Sequence, residues 1–319
     1  MIWNLSHMSE FKVSFWDVGQ GDCSVVELPD GQIILIDVGC ATSPISDWIR
    51  NRDVLAIVLT HNDADHAGAL SACIMSARSV KNIFALHDRD TKNNDFKNIF
   101  STAFNFHKKG RLLLKRAEAK DIIWSGVVEG ETFRLVVRHP DFVQFSEASC
   151  PNKKSLILSL SRNKSDEFIW AGDAPMRAVA GISGNADFFM LAGPHHGAPI
   201  DRRNKDFATN VEKVKPRNNL LSYSRSNRYC HPYRDFVEKQ ANRGIKIYCT
   251  GLCRDCGERT LISPEALGHI KPRGKEHVSC RGGLEYTFRN GDWKIDDCEG
   301  TYQELKAKLS NRICRKRHS

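Results

Sequence analysis

Four side chains able to bind metal ions lie within six consecutive positions of the chain: His61, Asp63, Asp65 and His66. They follow the apolar run 54–59, whose length and composition predict a buried strand. Imidazole and carboxylate groups held in such a turn can converge on two adjacent cations, because neighbouring side chains point in different directions. A solvated polar loop is the alternative interpretation, but the density of ligand-type residues favours a metal site.

Two later places in the sequence offer groups of the same kind. Asp173 follows the apolar run 168–170 and an Ala-Gly pair, in which glycine lets the backbone approach closely. A carboxylate there can bridge two cations, since each of its oxygens can bind one ion. His195 and His196 follow the apolar run 188–191. Only one of the pair needs to bind metal, and the other can hydrogen-bond a phosphate or protonate a leaving group.

The spacing of residues 61–66 resembles the HxHxDH signature of the metallo-β-lactamase fold, with Asp63 where the commoner motif has histidine. In this respect the chain resembles the hydrolase domain of ComEC-type DNA-uptake proteins and its stand-alone relatives. Stretches 15–22, 170–173 and 194–197 match that subgroup in the same order, 227–232 matches more weakly, and the resemblance runs from about residue 11 to residue 295. It implies an α/β fold, a four-layer αββα sandwich of two mixed β-sheets flanked by helices.

The resemblance also implies a site with two divalent metal ions, zinc or manganese. Replacing an imidazole by Asp63 hardens the first metal position and shifts its preference from zinc towards manganese. Asp37 is expected to orient a metal ligand from behind, and Asp17 and Asp22 to support ligands or shape the glycine turn between them. The expected metal ligands are His61, Asp63, Asp65, His66, Asp173, one or both of His195 and His196, and His139, for which a strand-end histidine is the alternative. The expected catalytic residues are Asp65, Asp173, His195, His196 and His231.

Charge adds a reason to expect a polyanionic partner, because 47 basic residues against 38 acidic ones give a formal charge of +9. Much of the excess follows the histidine pair, and within it Arg202 and Arg203, with Asn227, are expected to bind substrate. A second basic group lies at residues 312–318. An ordinary soluble surface is the alternative for both groups.

Residues 249–283 read as an insertion rich in cysteine and histidine, between strands predicted at 245–248 and 284–288 as neighbours in the second sheet. Cys253 and Cys256 form a C-x₂-C pair, which indicates a structural zinc site; free thiols in a mobile loop are the alternative. Cys280 with His277 or Cys249 can complete four ligands. The predicted organisation is a hydrolase domain over residues 1–300 and a basic helix or tail over 301–319, with helix at 301–316.

No apolar run reaches the length of about 18 residues that a membrane span needs, and no signal peptide is visible, so a cytoplasmic protein is expected. The expected activity is metal-dependent phosphodiester hydrolysis of nucleic acid, with single-stranded DNA favoured by the resemblance. One alternative is a small-substrate phosphodiesterase, esterase or lactonase on the same fold. The other is a metal-stabilised nucleic-acid-binding subunit without activity of its own.

Overall fold

Two mixed β-sheets form the centre of the protein, seen in a computed structural model that describes residues 10–86, 94–140, 151–198, 207–224, 229, 231–256, 279–308 and 312–314. The strand order is β15-β14-β1-β2-β3-β4-β5-β6 in the first sheet and β13-β12-β11-β10-β9-β8-β7 in the second. The strands are β1 Lys12–Phe15, β2 Cys23–Glu27, β3 Ile33–Val38, β4 Asp53–Val58, β5 Ser79–Ala85, β6 Leu113–Arg116, β7 Ile122–Val128, β8 Glu131–His139, β9 Ile157–Arg162, β10 Ser165–Trp170, β11 Asp187–Ala192, β12 Lys215–Leu221, β13 Lys246–Cys249, β14 Leu284–Arg289 and β15 Asp292–Ile295.

Helices cover the outer faces of both sheets. Those of the described residues are α1 Ile45–Trp48, α2 Ala64–Ala67, α3 Leu70–Ser76, α4 Asn94–Lys108, α5 Met176–Ser183, α6 Phe207–Lys213, α7 Arg234–Asn242 and α8 Glu299–Lys308. Apolar residues of α1, α3 and α4 pack on the first sheet, and those of α5, α6 and α7 on the second. None of the helices in the described part of the chain is both long and apolar enough to cross a bilayer.

The side chains of β3 point alternately into two hydrophobic cores, which shows how the layers are held together. Ile34 and Ile36 belong to the core between the sheets, whereas Ile33 and Leu35 belong to the core under the first-sheet helices. A strand with both faces covered must be apolar at nearly every position, which is why the short runs in this sequence predict strands well. Parallel pairing of β3, β4 and β5 brings the carboxyl ends of these strands to one edge.

One sequence prediction about connectivity is wrong. β14 is not a neighbour of β13 in the second sheet but pairs antiparallel with β1 in the first, with Val13 opposite Tyr286. The side-chain pattern shows which face of a strand is buried, but not which strand it pairs with. The helical segment after the ligand-type residues is interrupted, because α2 ends at Ala67 and α3 begins at Leu70. At the C-terminus, α8 begins at Glu299 and ends at Lys308, earlier than predicted.

Candidate metal centre

Residues 60–66, called the ligand loop below, follow β4 at the edge where the parallel strands of the first sheet end. His61 is 1% exposed, and Asp63 is the residue before α2, with an extended backbone. Asp65 and His66 lie in the first turn of α2, and His66 is completely buried. Because β3 runs parallel beside β4, Asp37 near the end of β3 lies next to this loop. The parallel pairing therefore places the carboxylate of β3 behind the expected ligands that follow β4.

Asp173 connects the two sheets at this edge. It follows β10 of the second sheet, yet its Oδ2 lies 3.4 Å from Nε2 of His61, and its Oδ1 lies 3.4 Å from Nε2 of His66. Each carboxylate oxygen therefore faces a different imidazole of the ligand loop. This is the arrangement expected of a carboxylate that bridges two ions.

The remaining predicted ligands divide between the two oxygens of Asp173. Near Oδ2, Nε2 of His195 lies 3.6 Å away, and Oδ2 of Asp63 lies 3.7 Å from Nε2 of His61. Near Oδ1, Nε2 of His196 lies 3.8 Å away and is 3.3 Å from Oδ2 of Asp65. The first set is thus His61, Asp63, Asp173 and His195, and the second is Asp65, His66, Asp173 and His196.

Hydrogen bonds at Nδ1 leave the Nε2 atoms of these histidines available. Nδ1 of His66 is 2.8 Å from Oδ2 of Asp37, Nδ1 of His196 is 2.7 Å from the Ser222 carbonyl oxygen, and Nδ1 of His195 is 3.1 Å from that of Ala198. A carbonyl oxygen has no hydrogen to give, so the ring nitrogen facing it must donate. Nε2 is then the nitrogen with a free lone pair, as a metal ligand requires.

Buried atoms without partners test whether a metal fits. Within the described residues, Nε2 of His61, His66 and His196 and Oδ1 of Asp173 are buried and have no hydrogen-bond partner. Four unsatisfied polar atoms at one point would cost several kcal/mol. They are all atoms that coordinate divalent cations, and atoms of His61, His66 and Asp173 lie within 4.8 Å of one another. The side chains therefore fit a metal centre.

The electrostatics of the cluster favour positive charge. Burial opposes ionisation of Asp173, but the imidazoles of His61 and His66 hold its pKa well below the usual range. Burial likewise disfavours a charged His66, yet Asp37 and Asp173 hold the pKa of His66 well above its usual value. The carboxylates thus stabilise positive charge at the ring nitrogens, and divalent ions supply such charge at the same points while displacing protons.

The glycine turn after β1 supports the second ligand set through Asp22. The carboxylate of Asp22 lies 3.6 Å from Nδ1 of His196 and 4.0 Å from Nδ1 of His66. Gly21 has φ +138°, and a Cβ there would lie 2.1 Å from the Asp65 carbonyl oxygen, so this close approach requires glycine. Asp17 instead accepts hydrogen bonds from the Gly19 amide and the Ser279 hydroxyl, which shapes the loop.

Two residues that hold Asp173 in place were not identified from the sequence. Nδ2 of Asn152 donates to Oδ2 of Asp173 at 3.0 Å, and the Ser155 hydroxyl accepts from the Asp173 amide at 3.2 Å. Both residues lie just before β9, which neighbours β10 in the second sheet. Only the sheet pairing brings them to the centre, so no local motif marks them.

His231 lies beside the histidine pair. Its ring centroid is 5.1 Å from that of His195 and 5.7 Å from that of His196, and Tyr229 lies 5.6 Å away. Burial lowers the pKa of His195, which favours its neutral form. His195 is also the more exposed of the pair, with 24% of its side chain accessible against 2% for His196.

His139 is buried at the end of β8, where it pairs with Ile157. It borders a cavity of about 620 Å³ between β7, β8 and α5, and it is in neither group of convergent ligand atoms found among the described residues. Its role as a ligand stays a prediction. Asn227, Arg202, Arg203 and His277 lie outside the described residues.

Comparison with known sequences agrees with this architecture. Residues 16–135 match the model of the Metallo-beta-lactamase superfamily, a span that contains the whole ligand loop. The chain is also 22% identical over 269 residues to ComE operon protein 3 of Bacillus subtilis (strain 168). That match covers 76% of this chain but 32% of the relative, so the chain spans about a third of its length.

Solved structures with a similar arrangement include a novel metallo hydrolase, Igni18, from the hyperthermophilic archaeon Ignicoccus hospitalis KIN4/I. It has a TM-score of 0.46 and 13% identity, and the match covers 87% of this chain and 100% of that one. The metallo-beta-lactamase fold protein YhfI from Bacillus subtilis gives a TM-score of 0.47 and 10% identity, over 75% and 96% of the two chains. The superfamily match and the two mixed sheets with flanking helices identify the metallo-β-lactamase fold, as the resemblance implied.

Proposed function

We propose that the chain is a two-metal phosphodiesterase that cleaves nucleic acid, with single-stranded DNA as the favoured substrate. The observation that carries this proposal is the position of Asp173, whose two oxygens face two separate sets of imidazole and carboxylate groups. The first set, His61, Asp63, Asp173 and His195, holds one ion. The second set, Asp65, His66, Asp173 and His196, holds the other. The ions are zinc or manganese.

Two such ions stabilise the negative charge that develops on the oxygens of a phosphodiester during cleavage. The protein's own contribution is to hold the ligand set rigidly. Asn152 and Ser155 fix the bridging carboxylate, while Asp37 and Ser222 fix the rings of His66 and His196. Ligands held in this way need little reorganisation when substrate binds.

In this proposal His231 donates a proton to the leaving oxygen or a hydrogen bond to the phosphate. Its ring lies against both His195 and His196 but belongs to neither set of convergent ligand atoms. A general acid must be within hydrogen-bond reach of the reacting group, and a position beside the ligand histidines satisfies that need. Replacement of His231 by glutamine is expected to lower turnover while leaving the metal content unchanged.

Support for a nucleic-acid substrate comes from the cavity at the end of β8. Its lining includes Lys120, Arg134, Arg138 and Arg177 together with the apolar residues Ile122, Val136 and Ile182. Arg138 pairs with Asp166, whereas the side chains of Lys120, Arg134 and Arg177 make no ion pair within the described residues. Unpaired cations beside apolar surface suit a strand that has both phosphates and bases.

The cavity also lies close to the ligand loop. Ile157, the strand partner of His139, is preceded by Leu156, whose amide donates to the Thr60 carbonyl oxygen at 2.7 Å. Arg177, in the first turn of α5, is four residues after Asp173. A strand lying in this cavity can therefore reach the proposed metal centre within a few nucleotides.

The test is cleavage of labelled single- and double-stranded DNA with Mn²⁺, Zn²⁺ or Mg²⁺, with wild type beside Asp173→Asn. We expect cleavage by wild type and a loss of about 100-fold or more in the variant, because an amide cannot bridge two cations. Asp187→Asn, which removes an exposed carboxylate at the start of β11, is the matched control.

Two outcomes contradict parts of the proposal. If the protein hydrolyses bis(p-nitrophenyl) phosphate but leaves both DNAs intact, the metal centre is supported and the substrate is a phosphodiester smaller than nucleic acid. Tight, salt-sensitive DNA binding without turnover of either substrate would reject the enzyme and favour a binding subunit.

A further inference from the structure

Metal-binding atoms converge at one place in the described part of the chain, the proposed metal centre. The two groups found there are Asp22 with His66 and His196, and His61 with His66 and Asp173. The predicted structural zinc ligands Cys249, Cys253, Cys256 and Cys280 are buried free thiols that form no such group among the described residues, so that site stays a prediction.

The two proposed ion positions have the same kinds of ligand. Each set offers two imidazoles, one carboxylate of its own and one oxygen of Asp173. Ligand number and type therefore do not make one position bind metal more tightly than the other. The groups behind the imidazoles and the exposure of the ligands to water do differ, and both affect the affinity for a cation.

Carboxylates lie behind both imidazoles of the second set. Oδ2 of Asp37 is 2.8 Å from Nδ1 of His66, and a carboxylate that accepts from this nitrogen raises the basicity of the nitrogen that binds metal. The carboxylate of Asp22 is 3.6 Å from Nδ1 of His196 and 4.0 Å from Nδ1 of His66, and its charge attracts a cation. The second set therefore has two negative charges close behind it.

The ring of His61, in the first set, instead faces a hydroxyl group. Its Nδ1 is 3.1 Å from Oγ1 of Thr60. The hydroxyl of Thr60 has one hydrogen, which it donates to Oδ2 of Asp37 at 2.7 Å. The oxygen can therefore only accept from Nδ1 of His61, which leaves Nε2 for a metal ion. A hydrogen bond to a neutral oxygen is weaker than one to a carboxylate, so it raises the basicity of Nε2 less.

His195, the other imidazole of the first set, also faces a neutral oxygen. Its Nδ1 is 3.1 Å from the Ala198 carbonyl oxygen. Within the part of the chain that the structure describes, the carboxylates that pair with His61 and His195 are those of Asp63 and Asp173, which belong to the set itself. Among these residues, no carboxylate behind the first set corresponds to the two behind the second.

The two sets also differ in their exposure to water. In the second set, His66 and His196 have 0% and 2% of their side chains accessible, and Asp65 has 29%. In the first set, His195 has 24% and Asp63 has 51% accessible. Water weakens the attraction between a carboxylate and a cation, and it can take the place of an exposed ligand. The first position is therefore both less attractive to a cation and more open to exchange.

We propose that the second set holds its ion tightly and that the first set holds its ion loosely, in exchange with free metal in solution. This inference rests on the proposed two-metal centre. If phosphodiester cleavage needs both ions, turnover follows the occupancy of the first set. The concentration of free metal then regulates the enzyme, and the inactive protein keeps one ion.

The test is a calorimetric titration of the metal-free, full-length protein with Mn²⁺. We expect two binding steps whose dissociation constants differ by about 10- to 100-fold, the range over which groups behind metal ligands change affinity. Asp63→Asn and Asp65→Asn are a matched pair, because each removes the carboxylate that belongs to one set alone. Asp63→Asn should weaken only the weak step, and Asp65→Asn only the tight step.

Asp22→Asn tests the groups behind the ligands without changing a ligand. We expect it to weaken the tight step about 10-fold and to leave the weak step unchanged, because Asp22 lies behind His66 and His196. Asp53→Asn, which removes an exposed carboxylate paired with Arg78, is the control for the loss of one negative charge and should change neither step.

A single step that takes up two ions would overturn this inference, as would a protein that binds no metal. So would a tight step that Asp63→Asn weakens and Asp65→Asn does not. Two unequal steps in a protein that leaves DNA and bis(p-nitrophenyl) phosphate intact would support the inference and contradict only the phosphodiesterase. Cleavage of DNA by a protein with two equal affinities would support the phosphodiesterase and contradict only the inference.

Discussion

Asp37 lies directly behind His66, with its Oδ2 2.8 Å from the Nδ1 atom of the ring. The same carboxylate accepts hydrogen bonds from the amide and the hydroxyl of Thr60, each at 2.7 Å. One buried side chain at the end of β3 therefore fixes both the start of the ligand loop and the orientation of a ligand within it. Nδ1 is held as the donor, which turns Nε2 towards Asp173.

Replacing Asp37 by asparagine should weaken metal binding without changing the ligands themselves. The amide cannot accept from Thr60 and His66 as the carboxylate does, so the ring of His66 loses its fixed orientation. We expect metal affinity to fall about 10- to 100-fold, measured by competition with a chelator. Asp53→Asn, which removes an exposed carboxylate paired with Arg78, is the control. Equal affinity in wild type and Asp37→Asn would contradict this role.

Exchanging Asp63 for histidine should change which metal the protein prefers. The Asp63 side chain is 51% exposed and lies beside His61, so an imidazole can be accommodated there. Replacing a hard oxygen ligand by nitrogen should shift selectivity from manganese towards zinc. The measurement is metal content after equilibration with equal concentrations of both ions. An unchanged ratio would mean that Asp63 is not a ligand.

Reversing charges in the cavity at β8 should weaken DNA binding in a salt-dependent way. In the double variant Arg134→Glu with Arg177→Glu, each lost phosphate contact should reduce the slope of log affinity against log salt by about 0.7 for single-stranded DNA. Hydrolysis of bis(p-nitrophenyl) phosphate should not change, because that substrate is too small to reach the cavity and the metal centre together.

The control for this experiment is Arg50→Glu with Lys109→Glu, which makes the same change in net charge on the opposite side of the sandwich. Arg50 follows α1 and Lys109 follows α4, both on the first sheet. If the control lowers the salt slope as much as the cavity variant, general surface charge and not the cavity binds DNA.

Gly172→Ala should destabilise the protein and displace the neighbouring Asp173 carboxylate, which we propose bridges two ions. Gly172 has φ +48°, and a Cβ there would lie 2.6 Å from the Thr60 hydroxyl oxygen. Gly130→Ala is the matched control, because Gly130 has φ +82° but nothing within 4 Å of the added carbon. We expect a loss of about 1 kcal/mol in the free energy of unfolding for Gly130→Ala and about 2–3 kcal/mol for Gly172→Ala. Thermal unfolding checks this, and equal losses would show that the contact with Thr60 relaxes freely.

Local patterns made much of this protein predictable. The apolar run before His61 becomes β4, and the segments on either side of the glycine turn become β1 and β2. The two neighbouring strands before Asp173, β9 and β10, pair antiparallel as a hairpin. Each of these features depends on residues close together in sequence, where apolar alternation and turn residues act directly on the backbone.

By itself the sequence determined which side chains are able to bind metal ions. Ligand-type residues after apolar runs can be recognised whatever the order of the strands in the sheets. Only the tertiary structure decided how they are divided: His195 lies near one oxygen of Asp173 and His196 near the other, and Asn152 donates a hydrogen bond to the Asp173 carboxylate. The same holds for β14, which joins β1 rather than β13. The physical reason is that a strand's pattern sets which face is buried, whereas its partners depend on contacts across the whole chain.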